Sequence, residues 1–232
     1  MWAWEEEELE ECRTLLLDVS LYANVSDGWI WLPDPSEGYT VRDSYHLLTI
    51  KDTPRANLAS SLICHNQVSF NVSIFAWRLL RDRLPTKSNL VHRRVISSEA
   101  SMCVSDYGSM ETMQHLFLSC NLYSSLWPLV RHWLGIIGVD SNVIADHFIQ
   151  FVHLTGGGKV KQSFLQLIWL LSVWVLWNEH NNRLFNNVVT PIPRLLEKVK
   201  YMSLAWMKAK KVVFRFGTDR WCSSPFQCLG IT

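Results

Sequence analysis

Residues 103–120 read CVSDYGSMETMQHLFLSC, in which His115 and Cys120, separated by four residues, follow a single upstream thiol, Cys103. That spacing places an imidazole and a thiolate one helical turn apart or slightly more. A tetrahedral structural zinc takes four donors of this kind, and in so short a loop the metal replaces a core that the chain cannot build. Four residues after Cys103, where a second thiol would close the loop, stands Tyr107, and phenol is a poor zinc ligand. Three donors remain, to be completed by water, Asp106 or a remote histidine such as His92. The stretch therefore reads as a degenerate zinc knuckle, with Zn affinity weakened or lost at Tyr107. The competing reading makes His115 and Cys120 packed core residues of a decayed site.

Upstream of the stretch, Val72, Phe75, Ala76, Leu79 and Leu80 fall at helical spacing and leave Arg78, Arg81 and Asp82 on the other side. Pro85 is expected to end this helix, because its ring disfavours helical geometry at Leu84 and it lacks an N–H. Thr86 is a suitable N-cap for a second helix through Arg94. The result is a basic corner in which Arg78, Arg81, Arg83, Lys87, Arg93 and Arg94 face the single acid Asp82. Downstream, Met110 to Ser119 starts a helix after a turn at Gly108. Further helices are expected over 122–134, stopping at Gly135, over 141–154, over 160–185 and, again basic, over 192–214, with a glycine-rich break at 155–159.

Nearer the N-terminus, Glu5 to Leu17 reads as an acidic amphipathic helix. Trp29 to Leu32 and Tyr39 to Val41, separated by prolines and Gly38, read as a small hairpin. A helix over 42–50 and a loop over 51–66 follow. The expected fold is mainly α, a helical domain with a small N-terminal β-hairpin and the inserted knuckle.

The chain has 232 residues, 48% hydrophobic and 19% charged, which supplies a sizeable core. Its twelve tryptophans fit core packing better than base stacking. A net charge of +1 excludes a polycation, but charge is segregated: six glutamates lie within residues 5–11, while 78–94 and 194–215 are basic. Six scattered cysteines and no basic, apolar leader point to a reduced, intracellular protein. Phe164 to Trp177 is apolar for about fourteen residues, short of the roughly 20 that a membrane span needs, so a buried core helix and no membrane association are expected.

The words around the knuckle carry a family resemblance. The run FAWRLLRDRLPTKSNLVHRRVIS at 75–97, the pattern C...G..ET..HLFLSC, the entry segment from Asp27 to Tyr45 and the run from Phe164 to Asn187 are similar to the reverse-transcriptase zinc-binding domain of non-LTR, LINE-type retrotransposons and their plant derivatives. The likeness spans roughly residues 27–187 and implies Cys103, His115 and Cys120 as metal ligands, with Tyr107 at the lost position and Cys64 where a Trp is usual. Together with the helical patterns on either side, the expected organisation is an acidic N-terminal helix at 1–26, the zinc-binding domain at 27–135 and a helical extension at 136–232 packing on it.

Signals of catalysis are absent. Gly156 to Lys159 lacks the spacing of a phosphate-binding loop, and no Asp-Asp pair is available to hold polymerase metals. No G-x-S-x-G elbow occurs either, although a spatial Cys–His pair stays open. The expectation is a noncatalytic module, without a small-molecule substrate, that binds RNA or DNA through Arg78, Arg81, Arg83, Lys87, Arg93 and Arg94, with Trp77 or His92 stacking on bases. The alternative is a protein-interaction or structural relict that binds neither metal nor nucleic acid.

Overall fold

The chain divides into two compact units, residues 1–51 and 52–232. The computed structural model describes residues 40, 63, 65–105, 108–138, 140–153, 156 and 158–231. The acidic helix at 1–26, the hairpin, the helix over 42–50, most of the loop over 51–66, and Cys64, Asp106 and Tyr107 lie outside the described residues. All described residues except Thr40 belong to the second unit.

The first described helix, α1 (Phe70–Leu80), buries Val72, Phe75, Ala76, Leu79 and Leu80, the stripe expected from their spacing. It stops before Pro85 rather than at it. Asp82 adopts a left-handed φ of 50°, and the Arg83 N–H turns back to Arg78 O at 2.8 Å, so a backbone cap ends the helix. Thr86 then caps α2 (Lys87–His92), its side chain accepting from the Asn89 N–H at 3.4 Å. This helix is two residues shorter than expected, because Arg93 is its C-cap and Arg94 has φ 57°.

The chain next runs through a 3₁₀ turn, Ser98–Ser101, into an antiparallel bridge between Met102 and Met110, the one β pairing among the described residues. The Cys103 N–H donates to Ser109 O and the Glu111 N–H to Ser101 O, both at 2.9 Å. Gly108 completes the reversal at φ 108°, a value that a side chain would strain. Helix begins at Met113, not Met110, since Thr112 Oγ1 accepts from the His115 N–H at 3.1 Å and acts as N-cap. A 3₁₀ turn, Tyr123–Ser125, precedes α3 (Leu126–Leu134), which Gly135 closes at φ 66°.

Two further helices, α4 (Ile144–His153) and α5 (Lys159–Asn186), pack on one another. In α5 every residue from Phe164 to Val173 is buried, so this helix is covered on all sides and forms the axis of the core. By length and composition it could cross a membrane, but its apolar surface is occupied by α1, α4 and α6 (Ile192–Ala209). The last of these ends at Ala209, short of the expected Phe214, where Lys211 turns to φ 54°. A short α7 (Pro225–Leu229) closes the described chain.

The described tryptophans serve packing. Trp127, Trp169 and Trp221 are fully buried, and Phe148 lies against Trp169 with ring centroids 4.4 Å apart. Further along α5, Trp174 and Trp177 pack on Phe75 of α1, and Trp177 stacks on Phe117.

Candidate metal centre

The local backbone explains how Cys103, His115 and Cys120 meet. Instead of continuing as an α-helix, residues 115–119 form a π turn, in which the Cys120 N–H donates to His115 O, five residues back, at 2.6 Å. Single π turns of this kind recur at functional sites, since they bring side chains at i and i+5 together. The bridge between Met102 and Met110 brings Cys103 across to the same point. The three ligand atoms all lie within 4.8 Å of one another, with Cys103 and Cys120 buried and His115 half-buried. A zinc ion bound at about 2.0–2.3 Å separates its ligand atoms by about 3.3–3.8 Å, so only a small side-chain adjustment would be needed.

The electrostatics favour a cation. A hydrogen bond from the Cys103 thiol pulls the Cys120 thiol down to about 6, against the effect of burial, with help from the backbone N–H groups of Leu122 and Tyr123 and from His115. Thiolate character at Cys120, a second thiol and an imidazole form a donor set that fits zinc, and these residues could hold it. Among the described residues no fourth His, Cys, Asp or Glu joins the group; His92 is exposed and stands apart from it.

A surrounding shell holds the donors in place. Trp127 Nε1 donates to Phe117 O at 2.8 Å, fastening the π turn to α3. Ser105 Oγ donates to the buried Tyr123 hydroxyl at 3.2 Å, and burial pushes that phenol up to about 12. Glu111, fully buried, reaches two helices. Its Oε1 accepts from the Lys87 N–H at the start of α2, its carbonyl accepts from the Ser88 N–H, and its Oε2 lies 3.2 Å from His180 Nε2 on α5. Lys87 Nζ donates to Met102 O at 2.7 Å, next to Cys103. The donor loop and the basic corner are thus one mechanical unit.

Of the six basic residues expected to meet nucleic acid, Arg78, Arg83, Arg93 and Arg94 are exposed, while Arg81 and Lys87 are half-buried. Arg81 and Arg83 lie over the Trp77 ring, at 4.9 and 5.4 Å from its centroid, so cations already occupy a face of that indole. His92 is exposed.

Reading the sequence missed Glu111, His180 and Glu179. Glu179, buried on α5, accepts from Arg183 Nε at 2.9 Å and from the Thr190 N–H at 2.7 Å. A second, partly buried polar chain lies between α3, α4 and α5. Trp169 Nε1 can only donate, and it donates to His147 Nδ1 at 2.9 Å, which leaves the Nε2 proton to face Asp140 at 3.1 Å. Arg131 pairs with the same carboxylate. Burial alone would raise the Asp140 carboxyl, but hydrogen bonds from His147 and Arg131 outweigh it and hold the group below its ordinary value. The residue pattern offered one signal for Glu111, its place in the Glu-Thr pair before the His–Cys turn, and none for the pairs on α5.

Comparison with known proteins agrees with this geometry. Residues 39–127 match the family model described as zinc-binding in reverse transcriptase. The chain is also 29% identical over 122 residues to the "Putative ribonuclease H protein At1g65750" of Arabidopsis thaliana. That match takes in 52% of this chain and 19% of the plant protein. No solved structure matches.

Proposed function

We propose that this chain, which carries a reverse-transcriptase-type zinc-binding segment over residues 39–127, is a noncatalytic zinc- and nucleic-acid-binding module of retrotransposon origin. In this reading Cys103, His115 and Cys120 hold the zinc ion, with the fourth position left to water or to a donor outside the described residues. When bound, the metal would tie the loop over 103–120 into one rigid piece. The residues of the chain do the rest: Glu111 and Lys87 transmit the position of that loop to α2, so that Arg93 and Arg94 at its end are presented in a set orientation.

The observation that carries this reading is the double attachment of the donor loop to the basic corner, through Glu111 to the Lys87 and Ser88 N–H groups and through Lys87 Nζ to Met102 O. A corner held this way would grip phosphates electrostatically, so affinity for single-stranded RNA or DNA should fall steeply between about 50 mM and about 200 mM salt. In fluorescence anisotropy titrations, R93E/R94E should abolish binding while leaving the fold and metal content intact. Salt-insensitive binding, or none at the lower salt, would refute this function and favour a protein-docking or structural relict.

A further inference from the structure

The segment between α6 and the end of the described chain forms an open cleft of about 510 Å³ that plays no part in the metal centre or the basic corner. Arg215 and Arg220 line it together with Asp219, the exposed Phe216, Gln227 and Ile231. Among the described residues neither arginine side chain is paired with a carboxylate.

The cleft is anchored in the core. Trp221, which follows Arg220, is buried and donates from Nε1 to Lys200 O at 2.9 Å, while Trp133 Nε1 donates to Trp221 O at 3.0 Å. The Phe216 N–H donates to Cys228 O at 3.3 Å and ties the two walls together. Gly230, at φ 66°, leaves room for an arginine: a Cβ there would lie 2.5 Å from Arg215 Cδ and 3.1 Å from Arg215 Cβ. The Arg215 stem therefore lies across the Gly230 backbone, where any side chain would displace it.

We infer that this cleft binds a nucleoside monophosphate group, either as a free nucleotide or as the phosphorylated end of a strand. Two guanidiniums are the natural partners of a phosphate dianion, which they can engage by paired, charge-assisted hydrogen bonds. Asp219 lowers the net positive charge and thus disfavours a bare anion, but a carboxylate is a good acceptor for ribose hydroxyls. The exposed Phe216 ring offers a stacking face, and the Gln227 amide offers a donor and an acceptor to a base edge. A volume of this size suits such a ligand and is far larger than phosphate alone requires.

Calorimetric titration of the full chain with adenosine 5′-monophosphate, adenosine and inorganic phosphate tests the inference. The monophosphate should bind saturably and more tightly than either part. R215A/R220A should weaken it at least about tenfold, the loss expected when charge-assisted pairs are removed. G230A should do so in the same direction with an unchanged circular dichroism spectrum. R93E/R94E should bind the nucleotide as the parent does, which separates this site from the basic corner. A 5′-phosphorylated oligonucleotide tested against its 5′-hydroxyl counterpart in that variant tells a strand end from a free nucleotide. Absence of saturable binding up to about 1 mM, or equal affinity for the parent and R215A/R220A, would overturn the inference. Inorganic phosphate binding as tightly as the nucleotide would overturn it too, by reducing the cleft to an anion site.

Discussion

The donor loop around Cys103 and the packed helices α4 and α5 both bury polar side chains, and they satisfy them in opposite ways. Between the helices, Arg131, Asp140, His147 and Trp169 form a closed chain in which each group has a partner of the right kind. In the loop, two sulfurs and a ring nitrogen converge within 4.8 Å, an arrangement whose donor chemistry suits a cation. The helical half is therefore expected to hold its shape by packing alone, whereas the loop half gains from a metal. The two halves should respond differently to the same perturbations.

The largest effect belongs to the helical half. Trp169→Ala would empty the centre of the core beside Phe148 and Trp127 and should cost about 3–5 kcal/mol in urea denaturation. Its local effect on the donor loop should be small, so zinc content per folded chain should not change. If zinc were lost as well, the two regions would not be independent.

Metal affinity is the next largest. Cys120→Ser removes the thiolate that Cys103, Leu122 and Tyr123 stabilise, and should weaken zinc binding by more than the roughly 10–100-fold that outer-shell changes cost. Tyr107→Cys should act in the opposite direction by supplying a third thiolate as the fourth ligand. Competition with a chromophoric chelator measures both, and helical content should be unaffected in each. A Cys120→Ser protein that kept the parent's affinity would remove this thiol from the ligand set.

Glu111→Gln tests the link between the regions. It keeps the shape of the side chain but weakens its contacts with the Lys87 N–H and His180, at a cost of about 1–3 kcal/mol. Hydrogen exchange should speed up at α2 and at the bridge beside Cys103 more than in α4. Uniform loosening would contradict the mechanical coupling proposed above.

The smallest effect concerns pH. Because the Asp140 carboxyl is held below its ordinary value in the fold, the unfolded chain binds that proton more readily. The stability it supplies is complete above about pH 4 and is lost as pH falls through the lower, folded value. Asp140→Asn should lower the urea midpoint slightly near neutrality, with the difference shrinking in strong acid. A constant difference across that range would mean that the carboxylate is not the source of the stability.

Where a single periodic pattern decides an element, the chain was legible. The stripe from Val72 to Leu80 is the buried face of α1, Thr86 caps α2, Gly135 closes α3, and the apolar run from Phe164 lies at the centre of the fold. Helix ends were less legible, since backbone caps at Asp82, Arg94 and Lys211 stop helices whose side-chain pattern would let them continue. The three donors were readable as a set because soft ligands at short spacing have few other uses. Trp77, by contrast, looked available for stacking until its guanidinium neighbours were placed.

By itself the sequence determined that the protein is largely helical, that a zinc-type donor set sits between a basic corner and an apolar helix, and that one expected ligand is Tyr107. These features depend on local spacing and residue chemistry. Only the tertiary structure decided that His115 and Cys120 meet through a π turn, that Glu111 joins the donor loop to both α2 and α5, and that Arg215 and Arg220 line one cleft with Phe216. Those contacts join residues that are distant along the chain or depend on the hydrogen-bond register of one turn, and hydrophobic periodicity carries no record of either.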